Sequence, residues 1–388
     1  MDAPTFSHTE ADACRLRMGH NPTGVLLSIE RRKELYAVCA RYDVIIVEDD
    51  PYWYLQFPSA DTREAASRAL PPPASSPAAA ADPLLEGSPS SGYPFLDSLV
   101  PSFLRFDTDG RVVRLDTFSK TVAPGCRLGW LTAQPDLIER FVRISESTTQ
   151  QPSGFVQSLV SELVLGPDQP AAAKQAFLAL RRPRDRAAFA GWKMDGWVRW
   201  LSGLRGAYEH RMATMCTILD EGSFQVKQGT PVSTSDAELC VVTKTALFTF
   251  AWPRGGMFVW LRMRFEAHPL WQAPGSDGTV VDGTVLSLAL MMFLLRPPHL
   301  VLVAPGAMFS ATPEIRVNEG WRYYRLCFAA ETDANVEGCS HRFVAGVQRF
   351  WRIKKVKELE DLVKDFPKAN AAMEEGTVGE DDGNWFGC

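Results

Sequence analysis

The sequence predicts an α/β fold followed by a smaller α+β domain, and three observations predict it. Val44-Ile45-Ile46-Val47 is an unbroken β-branched run without polar alternation, as in a strand covered on both faces of a parallel sheet. A helical repeat precedes it, with Leu35, Val38, Cys39 and Tyr42 at i, i+3, i+4 and i+7 behind a capping Ser28. The second half changes texture: a helix-rich stretch over 155–222 is followed by short strand-like runs and one amphipathic helix.

The elements follow in order. After the helix from Ser28 and the strand over 44–47, Glu48-Asp49-Asp50-Pro51 places acids at the strand's carboxyl end, the edge where open α/β sheets bind ligands. Residues 61–90 are dominated by Ala, Pro and Ser, a composition that predicts a flexible surface insertion, with order returning by about Tyr93. Asp109-Gly110 marks a turn; Arg111–Asp116 and Gly129–Ala133 read as strands, and Pro135–Ser145 as a helix with Leu137, Ile138, Phe141 and Val142 inward. Later runs at Phe248–Trp252, Met257–Met263, His299–Val303 and Tyr323–Phe328 read as strands, and His341–Leu359 as a helix.

Composition excludes several classes. Of 388 residues 46% are hydrophobic and 22% charged, with 41 basic against 46 acidic side chains for a net charge of -5. A generic nucleic-acid binder would carry a basic surplus, so no nucleic-acid partner is expected. The most apolar run, Thr284–Leu295, is 12 residues long, well short of the ~20 that cross a bilayer, so it reads as a buried helix and no membrane association is expected. The eight cysteines show no C-x-x-C pair or finger-like spacing with histidine, so no metal site is expected and reduced thiols in a cytoplasmic protein are.

Taken singly, the polar motifs have ordinary readings. Asn21-Pro22-Thr23-Gly24 fits a plain turn. Asp49 and Tyr52 fit a cap, Lys120 a surface lysine, and Arg127 and Arg325 surface ion pairs. Their succession is not ordinary. His-Asn-Pro-Thr-Gly (20–24), Glu-Asp-Asp-Pro-Tyr (48–52), Thr-Phe-Ser-Lys (117–120) and Pro-Gly-Cys-Arg-Leu-Gly-Trp (124–130) occur in that order. The chain thereby resembles the fold-type-I aminotransferases (class I/II), which use pyridoxal 5'-phosphate (PLP). It is most similar to the fungal aromatic-amino-acid and kynurenine/2-aminoadipate subfamily, through Tyr-Trp-Tyr-Leu-Gln-Phe (52–57), Ser-Leu-Val-Pro-Ser-Phe-Leu (98–104) and Gly-Gly-Met-Phe (255–258).

The resemblance implies a PLP-dependent transferase type I fold, with a partial doubly wound, mostly parallel sheet. Its domains would be a short leader (1–20), a partial large domain (21–222, with 61–92 a disordered insertion), a small C-terminal domain (223–359) and an acidic tail (360–388). It also implies roles. Lys120 matches the lysine that forms a Schiff base with the cofactor aldehyde and then shuttles the proton. Asp49 matches the acid that keeps the pyridine nitrogen protonated, and Tyr52 and Asn21 the partners of the phenolic oxygen. Asp50 and Tyr54 are the competing neighbours. Arg127, Ser119 and Thr117 match the phosphate ligands. Arg325 matches the arginine that grips the substrate carboxylate, with Arg322 as its competitor.

The implied reaction moves an amino group between an aromatic L-amino acid and a 2-oxo acid such as 2-oxoglutarate, in a homodimer. One departure stands against this. Only 20 residues precede Asn21, so the Gly-rich phosphate turn, the aromatic stacking on the pyridine ring and the early strands are not found, and a truncated or inactive remnant is the alternative expectation. A regulator carrying a winged helix is a third reading, and no basic helix-turn-helix occurs in residues 1–20.

Overall fold

The computed structural model describes residues 14–16, 20–73, 90–167, 169–228, 242–276 and 278–364. In chain order the elements are β1 (Cys14–Leu16), α1 (Ile29–Arg41), β2 (Ile46–Asp49), α2 (Ala60–Ser67), α3 (Pro94–Asp97), β3 (Val112–Thr117) and β4 (Gly129–Thr132). Helices α4 (Pro135–Ser147), α5 (Gly154–Leu165), α6 (Ala171–Ala179), α7 (Pro183–Ala187) and α8 (Asp195–Gly222) follow. The remainder is β5 (Phe224–Gln228), β6 (Val242–Ala246), β7 (Phe248–Phe250), β8 (Phe258–Met263), α9 (Gly283–Leu295), β9 (Ala304–Pro305), α10 (Pro313–Asn318), β10 (Tyr323–Cys327), α11 (Asp333–Phe350) and α12 (Val356–Val363).

The chain divides into two compact units. The first comprises residues 1–20, 25–57 and 74–207, the second residues 21–24, 58–73 and 208–388. In the first, four strands are ordered β1-β2-β3-β4. The first three run parallel and β4 returns antiparallel along β3. Ser28 caps α1 by accepting from Arg31 N–H at 3.2 Å, as expected of a serine N-cap. Cys39, Ile46, Phe103 and Val112 form the core beneath the sheet, with Leu35 and Tyr36 packed against it.

Several expectations are corrected here. Val38 and Tyr42 are exposed, and Ile29, Arg32 and Cys39 line the buried face of α1 instead. The strand expected over 44–47 begins at Ile46 and takes in Glu48 and Asp49: pairing with β3 sets its limits, and Ile45 is left at the surface. In α4, Val142 is exposed and no residue is buried.

The second unit is built on a four-stranded antiparallel sheet, ordered β7-β8-β10-β9. Phe258, Leu261, Tyr324 and Leu326 from its centre are buried, as are Leu286 and Leu290 of α9 and Phe343 and Val347 of α11. The start of the expected 61–92 insertion is helical: Ser67 and Arg68, at the end of α2, donate to Asp220 at 2.8 and 2.9 Å. A composition average over a long window hides so short an anchored helix. Residues 74–89 of that insertion and 365–388 of the expected tail lie outside the described residues.

His299–Val303 is not a strand. Leu300 takes a left-handed backbone (φ 49°) and pairing with β10 starts only at Ala304. The helix expected over 341–359 is two helices, because Thr332 caps α11 upstream and the chain breaks between Trp351 and Lys355.

Candidate active site

The carboxyl end of the parallel pair β2-β3 gathers most of the motif residues. Asp49 pairs in register with Leu115, and Asp50 N–H continues the ladder to the Leu115 carbonyl at 3.1 Å. Alternation along a strand sends successive side chains to opposite faces. Glu48 and Asp50 therefore share one face with Arg114 and Asp116, and are buried there. Asp49 lies on the other face together with Leu115 and Thr117. The strand geometry thus separates Asp49 from Asp50, which the sequence alone left as neighbours.

Past Asp50 the chain turns, with Leu55 N–H bonded to the Tyr52 carbonyl at 2.8 Å and Tyr52 buried. Tyr54 sits beside the buried acids, and burial, followed by the charge of Asp116, raises its phenol to about 12. It is a poorer source of a titrating hydroxyl than its position in the motif suggests.

At the end of β3, Thr117 Oγ1 and Ser119 Oγ lie 2.9 Å apart, and Ser119 N–H donates to Thr117 Oγ1 at 3.1 Å. Lys120 follows in a tight turn closed by Thr121 N–H and Val122 N–H to the Phe118 carbonyl. The turn is pinned on both sides. The Phe118 ring packs against Trp130 at 4.9 Å, and Trp200 Nε1 donates to the Thr121 carbonyl at 2.7 Å.

Arg127 caps the short 3-10 turn Pro124–Cys126 in the left-handed region at φ 46°, a conformation that costs energy for a residue with a Cβ and concentrates at functional sites. Gly129 then lets the chain return, since a Cβ there would stand 2.6 Å from the Asp116 carbonyl oxygen.

Asn21 and Arg325 belong to the second unit and meet there. Arg325 Nη1 donates to Asn21 Oδ1 at 2.9 Å, and its guanidinium lies over the rings of Phe258 (4.1 Å) and Phe309 (4.7 Å). The competitor, Arg322, is engaged with Glu266 and Glu319 and stacks on Trp321. The Asn-Pro-Thr-Gly turn is held by Arg254 N–H to the Gly24 carbonyl at 3.0 Å.

The donor set has a definite chemistry. Two hydroxyls and an arginine suit a phosphate ester, the Lys120 amine suits an aldehyde, and the Asp49 carboxylate suits a protonated ring nitrogen. These residues fit PLP. Among the described residues no group of His, Cys, Asp and Glu is placed to hold a metal ion, and no helix is long and apolar enough to cross a membrane.

Residues 18–189 match the family model for aminotransferase class I and II. The similarity to the class I and II aminotransferases lies in that region. Among relatives, the L-tyrosine:2-oxoglutarate aminotransferase atrD of Tapinella panuoides is 32% identical over 76% of this chain and 44% of its own length. The aromatic amino acid aminotransferase 2 of Saccharomyces cerevisiae is 32% identical over 86% and 54%. Among solved structures, aminotransferase Aro8 from Candida albicans superposes with a TM-score of 0.59 at 28% identity, covering 87% of this chain and 58% of that one. The fold is that of the type I PLP-dependent aminotransferases, and the chain spans about half the length of the curated relatives it matches.

Sequence reasoning did not single out Arg114, Trp53 or Asp116, which make the contacts behind β2 and β3. The signal available for the pair was an arginine and an acid two apart in a strand, on one face of an otherwise apolar element.

Proposed function

We propose that this chain catalyses PLP-dependent transfer of an amino group between an aromatic L-amino acid and a 2-oxo acid such as 2-oxoglutarate. The observation that carries the reading is the placement of Asp49, Tyr52, Thr117, Ser119 and Lys120 at the carboxyl ends of two adjacent parallel strands, in a chain whose relatives are named for this reaction. When bound, PLP supplies an electron sink that labilises the bonds at the substrate Cα. Lys120 holds the cofactor through its amine and moves a proton at Nζ. Asp49 keeps the ring nitrogen charged. Tyr52 and Asn21 donate to the phenolic oxygen, and Thr117, Ser119 and Arg127 hold the phosphate. Arg325, flanked by Phe258 and Phe309, orients the substrate carboxylate.

Kynurenine and 2-aminoadipate belong to the same proposal as alternative donors. So does a homodimer, supported by Phe155, Leu159 and Leu163, which are exposed at successive four-residue steps of α5. The free thiols of Cys39, Cys126, Cys216, Cys327 and Cys339 fit a reducing, cytoplasmic setting.

The test is an absorption spectrum of the purified chain with added PLP beside Lys120→Ala, followed by assays with tyrosine and phenylalanine as donors and 2-oxoglutarate as acceptor. A Lys120-dependent band with turnover supports the reading. A band without turnover on any donor favours the inactive remnant, and no band overturns the assignment of the site.

A further inference from the structure

A buried charged cluster lies behind the strands that carry the candidate cofactor residues, and its members are not part of the machinery described above. Arg114 stands at its centre. Its Nε and Nη2 form a fork on the Asp116 carboxylate at 2.8 and 2.9 Å. Its Nη1 lies 3.7 Å from Glu48 and 3.6 Å from Asp50, and its guanidinium lies 4.6 Å from the centre of the Trp53 ring. Arg32 reaches Glu48 from α1 at 2.9 Å, and Ser102 Oγ and Phe103 N–H also donate to that carboxylate. Tyr54 is the remaining titratable group that senses the cluster.

The contacts share one property. Glu48 and Asp50 are the chain neighbours of Asp49, Trp53 is the neighbour of Tyr52, and Asp116 is the neighbour of Thr117. In the strands, an offset of one residue puts the contact on one face and the candidate cofactor residue on the other. Trp53 is itself fixed, its Nε1 donating to the Val100 carbonyl at 2.8 Å. Arg114 therefore touches the faces of β2 and β3 opposite Asp49 and Thr117, and in the turn after β2 the ring next to Tyr52, through a buried fork, close ion pairs and a cation–π contact.

We propose that Arg114 is a positioning residue of the cofactor site, setting the relative placement of Asp49, Tyr52 and Thr117 through Asp50, Trp53 and Asp116. The inference rests on the PLP reading of the site. Lysine cannot replace Arg114, because an ammonium makes no planar fork and stacks poorly on indole.

The cluster also explains Asp50. Three carboxylates face two guanidiniums, and neither Asp50 oxygen accepts a hydrogen bond. Burial, opposed by Arg114, raises this carboxyl well above the usual range. For Arg114, burial lowers the guanidinium, but the bond to Asp116 and the charges of Asp50 and Glu48 outweigh it and keep it charged.

The test compares the full chain with Arg114→Lys, Arg114→Met and Asp116→Asn. Three quantities are read for each: the Kd for PLP, the pH midpoint of the bound cofactor's absorbance, and the melting temperature. Val347→Ala, a core truncation in the second unit, serves as a control of comparable destabilisation. We expect the Kd to weaken between about tenfold and a hundredfold, the scale on which misplaced binding groups act, and the midpoint to move, in Arg114→Lys and Asp116→Asn but not in Val347→Ala. Asp116→Asn keeps the shape of the cluster and reduces its excess of carboxylates, so it reports even where Arg114→Met does not fold. Variants that melt lower yet keep the wild-type Kd and midpoint overturn the positioning role and leave the PLP reading intact. A wild-type chain with no Lys120-dependent band overturns the PLP reading and the positioning role with it.

Discussion

Arg325 donates from Nη1 to Asn21 Oδ1 across 2.9 Å, joining residues 304 positions apart. The bond ties the Asn-Pro-Thr-Gly turn to the central antiparallel strand of the second unit. The Arg325 guanidinium carbon lies 4.1 Å from the centre of the Phe258 ring and 4.7 Å from that of Phe309. A guanidinium carries a planar fork of donors that matches a carboxylate. Arg325→Met is expected to lower kcat/KM for amino-acid and 2-oxo-acid substrates by roughly a hundredfold or more, the scale of losing one side of a charged pair. Asn21→Ser should give a smaller loss. Steady-state kinetics on both half-reactions decides it, and unchanged kinetics in Arg325→Met would remove this residue from the substrate site.

The backbone of that turn depends on Gly24, at φ +66°, where a Cβ would lie 2.7 Å from Pro253 Cβ. Gly24→Ala combines a left-handed backbone with a clash, and overpacking alone costs about 1–3 kcal/mol. Thermal melting should show the loss. Crystals of the variant should show the Asn21–Arg325 bond lengthened or broken.

Arg32 and Glu48 form a fully buried pair at 2.9 Å, with 0% and 1% of their side chains exposed. Removing one partner strands the other charge, so Glu48→Ala should cost about 3–5 kcal/mol. The double variant Arg32→Met/Glu48→Leu should recover most of that. Denaturant unfolding of the single and double variants makes the comparison, and a double variant as unstable as the sum of the singles would contradict it.

His268 is neutral in the fold: Nε2 donates to the Phe350 carbonyl at 3.2 Å and Nδ1 accepts from Leu270 N–H at 3.1 Å. Burial lowers it from 6.5 to about 4. Between those values the unfolded chain binds a proton that the folded chain does not, so stability rises as pH goes from 4 to 6.5 and is level above. The window is worth at most about 3 kcal/mol at 1.36 kcal/mol per unit. The difference between wild type and His268→Gln, measured by denaturation from pH 4 to 7.5, should follow this slope. A difference independent of pH would contradict it.

The sequence made the fold class legible because hydrophobic period and chain order are local properties. The β-branched run before Glu48, the Ser28 cap and the apolar stretch in α9 each became the expected type of element. Boundaries were less legible, because pairing partners decide them. Strand β2 shifted forward onto its acids to pair with β3, and His299–Val303, β-branched in part, has no ladder. The helix Ala60–Ser67 was hidden by composition, since its anchor, Asp220, lies some 150 residues away.

What the sequence by itself determined is the inventory of chemistry: an amine, acids, hydroxyls and arginines in a fixed order, enough to indicate the family. What only the tertiary structure decided is which face each one occupies. Asp49 and Asp50 are equivalent as letters. Alternation along β2 and its register with β3 send Asp50 toward Arg114 and Asp49 to the opposite side. Likewise Arg322 and Arg325 differ by three positions, and only the packing of Phe258, Phe309 and Asn21 around Arg325 distinguishes their surroundings. Local pattern follows from neighbours in the chain, whereas the environment of a charge follows from residues the chain brings back from far away.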